Sequence, residues 1–191
     1  FHVFAINILS WIIRKSSIID PDLICQLFER SVKSVIDDDP QFSCYFVLFL
    51  SNLRFNYKEL LIEKHKELIQ LIDNAISNLD VSKSECRLLV EYLIALFASI
   101  DICLGDEAGL TDSQRFDWFI SKLPIQYSQE NNNQIVFDYL ISHFEKFPDL
   151  KNKVLALFCQ IFITLSRISY SFLRKEIVSK IFEIIMKSNV A

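Results

Sequence analysis

Glycine is almost missing from this chain, with 2 residues in 191, and proline is scarce at 4. So few turn-formers exclude the tight hairpins of an antiparallel β protein and the glycine-rich loops that cradle phosphates. Metal-type cysteine spacing is missing too. Cys25, Cys44, Cys86, Cys103 and Cys159 contain no CxxC, and each stands among apolar neighbours as a reduced core thiol does. That usage fits the cytosol or nucleus. His2, His65 and His143 are too scattered to suggest a ligand set. No stripe of Lys and Arg exists: 20 basic and 24 acidic residues are interspersed, for a net charge of −4. A direct grip on nucleic acid is therefore not expected. The apolar runs FVLFL, YLIALFASI and VLALFCQIFITL fall short of the roughly 18 to 20 residues a membrane span needs. The opening FHVFAINILSWII has neither the basic start nor the small-residue cleavage site of a signal peptide. It reads as a helix, and the chain as a piece of a longer protein.

What is present is core material. Hydrophobic residues make up 51% of the chain, 17 of them Phe. This is enough for one domain or one continuous array, and the aromatic content excludes disorder. The pattern predicts an all-α chain of about nine helices: 1–15, 21–36, 40–55, 57–79, 83–103, 111–123, 132–146, 150–167 and 171–188. Asp20-Pro21 and Asp39-Pro40 pair a capping carboxylate with a proline at the first helical position. Thr111 is the expected cap of the sixth helix, and Leu123-Pro124 and Phe147-Pro148 act as stops. A short break near Glu63 is anticipated in the fourth. Within 21–36, Leu23, Leu27, Phe28 and Val35 form the expected core stripe.

The stretch DDDPQFSCYFVLFLSNL, 37–53, is unusual in having an apolar residue at almost every step. Phe42, Tyr45, Phe46, Leu48, Phe49, Leu50 and Leu53 cover nearly the whole circumference, so this helix is expected to lie sandwiched between partners. The preceding acids suit the positive end of its dipole. Helix pairs recur at roughly 40 residues, the period of armadillo and HEAT repeats. In such a stack each pair contacts its neighbours, and an inner pair is covered on both sides.

Catalytic patterns are weak. Asp37 and Asp38 lack the third acid of a magnesium-binding aspartate motif, since position 41 is Gln and Pro40 interrupts the spacing. No Gly-x-Ser-x-Gly occurs. Glu63 and Glu67, one turn apart beside Lys64 and Lys66, read as a solvated helix face. No enzyme, metal or cofactor is expected. In Phe116-Asp117-Trp118-Phe119 the three rings cannot all face one side, and an exposed Trp118 beside Asp117 would suit a lysine by cation–π contact and ion pairing.

Four segments carry a family likeness: IDDDPQFSCYFVLFLSNL, ECRLLVEYLIALFASI, RFDWFISKLPI and NQIVFDYLISHFEKFP. Their order resembles the C-terminal HEAT repeats of importin-β (karyopherin-β) nuclear transport receptors, nearest the branch importing ribosomal proteins and histones. The resemblance runs over about 1–167. It departs where HEAT helices carry a Val-Arg pair and alanines, for here stand Phe42, Ser43, Tyr45 and Phe46, which removes the basis for a ladder of Asp–Arg contacts between repeats. The resemblance implies an α-solenoid of HEAT-like antiparallel helix pairs in a right-handed superhelical stack. Residues 1–191 would form a single array, a C-terminal fragment of a longer solenoid. It puts 21–36, 57–79, 111–123 and 150–167 on the concave face, with Glu29, Glu59, Glu63, Glu67, Asp73, Asp112, Asp117 and Trp118. The implied partners are protein cargo with basic segments, Phe-Gly nucleoporins and a Ran-type GTPase whose main site falls outside this chain. The implied location is cytoplasm and nucleus, with shuttling through the pore. The competing reading is a HEAT scaffold of a vesicle coat, phosphatase or chromosome-associated complex.

Overall fold

The computed structural model describes residues 2–104, 113–123, 130–165 and 175–188, and among these every regular element is helical. The helices are α1 (His2–Lys15), α2 (Pro21–Asp37), α3 (Pro40–Asn52), α4 (Lys58–Glu63), α5 (His65–Asn78), α6 (Ser84–Leu104), α7 (Ser113–Ser121), α8 (Glu130–Phe144), α9 (Lys151–Leu165) and α10 (Lys175–Ser188). Short 3-10 turns at Leu53–Phe55 and Pro148–Leu150 follow α3 and precede α9. Ten described helices thus stand where nine are predicted, because 57–79 is split at Lys64, next to the anticipated break. The expected cap Thr111 lies outside the described residues.

Both aspartate caps form. The Asp20 carboxylate accepts from the Asp22 N–H at 2.8 Å, and that of Asp39 accepts from the Gln41 N–H at 2.9 Å. The acidic triple is a corner between two helices: Asp37 ends α2, Asp38 donates its N–H to Ser34 at 3.0 Å, and Asp39 caps α3. The corner therefore touches the negative end of one helix dipole as well as the positive end of the next.

The chain divides into two compact units, Phe1–Leu110 and Thr111–Ala191. In the first, α3 packs on α1, α2 and α6, while α5 packs on α2 and α6. The sandwich expected for α3 is real but not all-round. Phe46, Val47, Phe49 and Leu50 are buried, together with the small residues Ser43 and Cys44 that let neighbouring backbones approach. Ser43 Oγ lies 3.3 Å from the Ser34 carbonyl of α2. Phe42, however, is 49% exposed and Tyr45 is also at the surface, so among the described residues one strip of α3 is left uncovered. On α2 the core stripe is Ile24, Phe28, Ser31 and Val35; Leu23 is exposed and Leu27 half-buried, which moves the predicted stripe around the helix.

In the second unit α9 packs on α7, α8 and α10. Its centre is aromatic. Tyr139 of α8 meets Phe119 edge-on at 4.7 Å and Phe116 at 5.7 Å, and Phe144 lies 6.5 Å from Phe158 of α9. The cysteines depart from expectation: Cys44 and Cys86 are buried, but Cys25 is half-buried and Cys159 exposed.

Candidate protein-interaction surface

The residues expected to form one acidic face come from both units. Glu63 closes α4, and Glu67 and Asp73 project from α5, all three exposed. Lys64, at the break between the helices, places its ammonium 3.7 Å from Glu67, so the chain partly neutralises its own acid there. Asp117 and Trp118 belong to α7 in the second unit, and Asp112 lies outside the described residues.

Around Trp118 the chain already holds the chemistry expected of a ligand. Phe116 and Phe119 are buried and turn Trp118 outward to half-burial. Lys153 of α9 donates to Asp117 at 2.6 Å, and the Lys122 ammonium, just past the end of α7, sits 5.4 Å from the centre of the Trp118 ring. Ion pairing and cation–π contact both occur, with lysines of the same chain. A basic peptide would have to displace two tethered lysines.

His143 is a core residue. It is buried on α8, with its ring 4.2 Å from Tyr139 and 5.6 Å from Phe116. Its Nδ1 lies 3.0 Å from the Tyr139 carbonyl, the geometry of a ring N–H donating to the preceding turn. Among the described residues no group of His, Cys, Asp and Glu is placed to hold a metal ion, and no helix is long and apolar enough to cross a membrane.

Three features of the first unit escape sequence reasoning. Glu91 and Asp101 are buried within the apolar helix α6, only the second showing in sequence as a break in a hydrophobic run. A groove of about 290 Å³ opens between α1, α2 and α3, lined by apolar Ala5, Ile6, Leu9, Leu27 and Phe46 with Arg30 and Asp38 at its polar side. Beside it, α1 leaves Phe4, Ile8 and Trp11 exposed at helical spacing.

The third feature is a polar seam that fastens α1 and the connection after it to the end of α3 and the turn that follows. Asn52 Nδ2 donates to Ser10 Oγ at 2.7 Å, Asn56 Nδ2 to the Ile13 carbonyl at 2.6 Å, and the Tyr57 hydroxyl to the Ile19 carbonyl at 3.0 Å. At its outer end the Arg14 guanidinium lies 5.2 Å and that of Arg54 4.8 Å from the centre of the Phe55 ring. Apart from the neighbours Arg54 and Phe55, these partners stand some forty positions apart in sequence, so no local pattern announces them.

Comparisons with family models, with curated proteins and with solved structures returned no match.

Proposed function

We propose that the chain is a non-catalytic, protein-binding stack of HEAT-like helix pairs and serves as part of an importin-β-type nuclear transport receptor. The observation that carries the stack is the contact pattern of residues 1–110. One row runs α1, α3, α6, a second runs α2, α5, and α2/α3 and α5/α6 join the rows as hairpins. Helix pairs that touch their neighbours row by row are the defining feature of a solenoid. The transport role rests on the family resemblance of the helices around 37–53, 85–100 and 115–148. On this reading Glu63, Glu67 and Asp73, with Asp112, Asp117 and Trp118, receive basic cargo segments, outer helices receive Phe-Gly nucleoporins, and a Ran-type GTPase acts mainly elsewhere. Lys153 on Asp117 and Lys122 on Trp118 favour the second reading, a structural HEAT scaffold whose own side chains satisfy these groups.

The test is retention of the chain on beads bearing Phe-Gly peptides and, separately, a Lys/Arg-rich peptide. The transport reading expects retention on both, with peptide binding weakened by rising salt and by Glu63→Lys with Glu67→Lys. Retention on neither overturns it and leaves the scaffold.

A further inference from the structure

We propose that the chain pairs with a second copy of itself through α1, the Trp11 ring of each copy filling the groove beside Ala5 of the other. This is independent of the transport reading, which concerns acidic residues on other helices.

One side of α1 is left uncovered among the described residues: Phe4 is 73% exposed, Ile8 44% and Trp11 65%. A strip of large apolar side chains on a helix marks an interaction surface. The groove between α1, α2 and α3 opens on the adjoining flank, with the small, exposed Ala5 at its edge. Protrusion and hollow thus share one helix, about 9 Å apart along its axis, with Ile8 midway between them. Ala5, Ile8 and Trp11 advance by equal steps along and around the helix, so a two-fold axis through Ile8 exchanges positions 5 and 11. An antiparallel second copy therefore lays its Trp11 over Ala5 and its Phe4 against Ile12, on both sides at once.

The groove suits an indole. Leu9, Leu27 and Phe46 give it apolar walls, and its volume of about 290 Å³ exceeds that of the ring. A Trp that becomes buried needs an acceptor for its N–H. Ser31, Ser34 and Asp38 line the groove with side-chain oxygens, and Arg30 brings a cation that an aromatic face attracts.

Charge selects the antiparallel arrangement. No Asp or Glu lies in α1, and Arg14 and Lys15 stand together in its last turn. Parallel pairing would set these cations side by side. In the antiparallel pair the two Arg14 positions lie roughly 18 Å apart along the helices, about two Debye lengths at physiological salt. At about 150 to 250 Å² for a whole aromatic side chain, the strip offers roughly 400 Å² per copy. Such an area is below the standard interface, so the pair is reversible, with a dissociation constant on the order of 10 to 100 µM.

Sedimentation equilibrium of the whole chain between roughly 5 and 500 µM tests this. The mass should climb from 22.4 kDa towards twice that value. Trp11→Glu removes the protrusion and Ala5→Arg blocks the hollow; each alone should raise the dissociation constant at least about tenfold. Both positions are exposed, and circular dichroism checks that the variants fold. Mixed one to one, the two variants should associate again. One intact Trp11 then meets one intact groove, and across the axis the introduced carboxylate meets the introduced guanidinium. A monomer mass at every concentration, association untouched by Trp11→Glu, or no recovery in the mixture overturns the proposal.

Discussion

The two units bury different materials. Of 26 buried apolar side chains described in Phe1–Leu110, five are aromatic; in Thr111–Ala191 the figure is six of 13. The first centre is aliphatic and is threaded with small buried residues, Ser31, Ser43, Ala95, Ala98 and Ser99, that let helices approach closely. The second is a set of interlocking rings around Tyr139. A close-packed aliphatic centre fails when charge or bulk enters it, whereas a ring cluster fails when one large member leaves.

The sharpest way to break this contrast is Phe49→Asp. Phe49 is fully buried on α3, which packs against α1, α2 and α6, and an unpaired carboxylate there costs several kcal/mol against a total stability of about 5 to 15. The first unit should fail to fold, seen as lost helical ellipticity; an unchanged melting temperature would refute the enclosure of α3. Next comes Tyr139→Ala, expected to cost about 3 to 5 kcal/mol in urea unfolding, since it removes the ring shared by Phe116, Phe119 and His143. If Tyr139→Ala costs less than about 1 kcal/mol, the ring cluster is not what holds the second unit.

Smaller effects sharpen the comparison at the surface. Asp39→Ala should cost about 1 kcal/mol, because the Gln41 N–H loses its acceptor at the start of α3, and Asp39→Asn should recover most of it. Lys153→Ala should cost less than about 1 kcal/mol, both partners of that pair being substantially exposed. A larger loss in thermal melts would mean that the pair to Asp117 is part of the second unit's framework.

The helices were legible because their punctuation is local. Asp-Pro caps, Phe147-Pro148 and the 3.6-residue period each act within one or two turns, and they place most helix ends within a few residues. What remained hidden depends on pairs distant in sequence. The exposed strip of Phe42 and Tyr45 reflects which side of α3 the described helices cover, which apolarity alone does not encode. The division at Lys64 has no Gly or Pro to mark it, yet it falls next to the break anticipated near Glu63. At the candidate surface, the exposure of Glu63, Glu67 and Asp73 and the outward turn of Trp118 followed from helical geometry. Lys153 reaching Asp117 across 36 positions, and Arg14 meeting Phe55, did not.

The burial of the thiols has a practical chemical consequence. Burial, aided by the Glu91 carboxylate, pushes Cys44 up to about 12, so at neutral pH it stays protonated and unreactive inside α3. Cys86 is buried and Cys25 half-covered, while Cys159 stands open on α9. Among these four, a thiol-directed dye enters first at Cys159 in the folded chain, whereas Cys44 and Cys86 take it up only as the first unit opens, so delayed labelling reads out the opening of that unit.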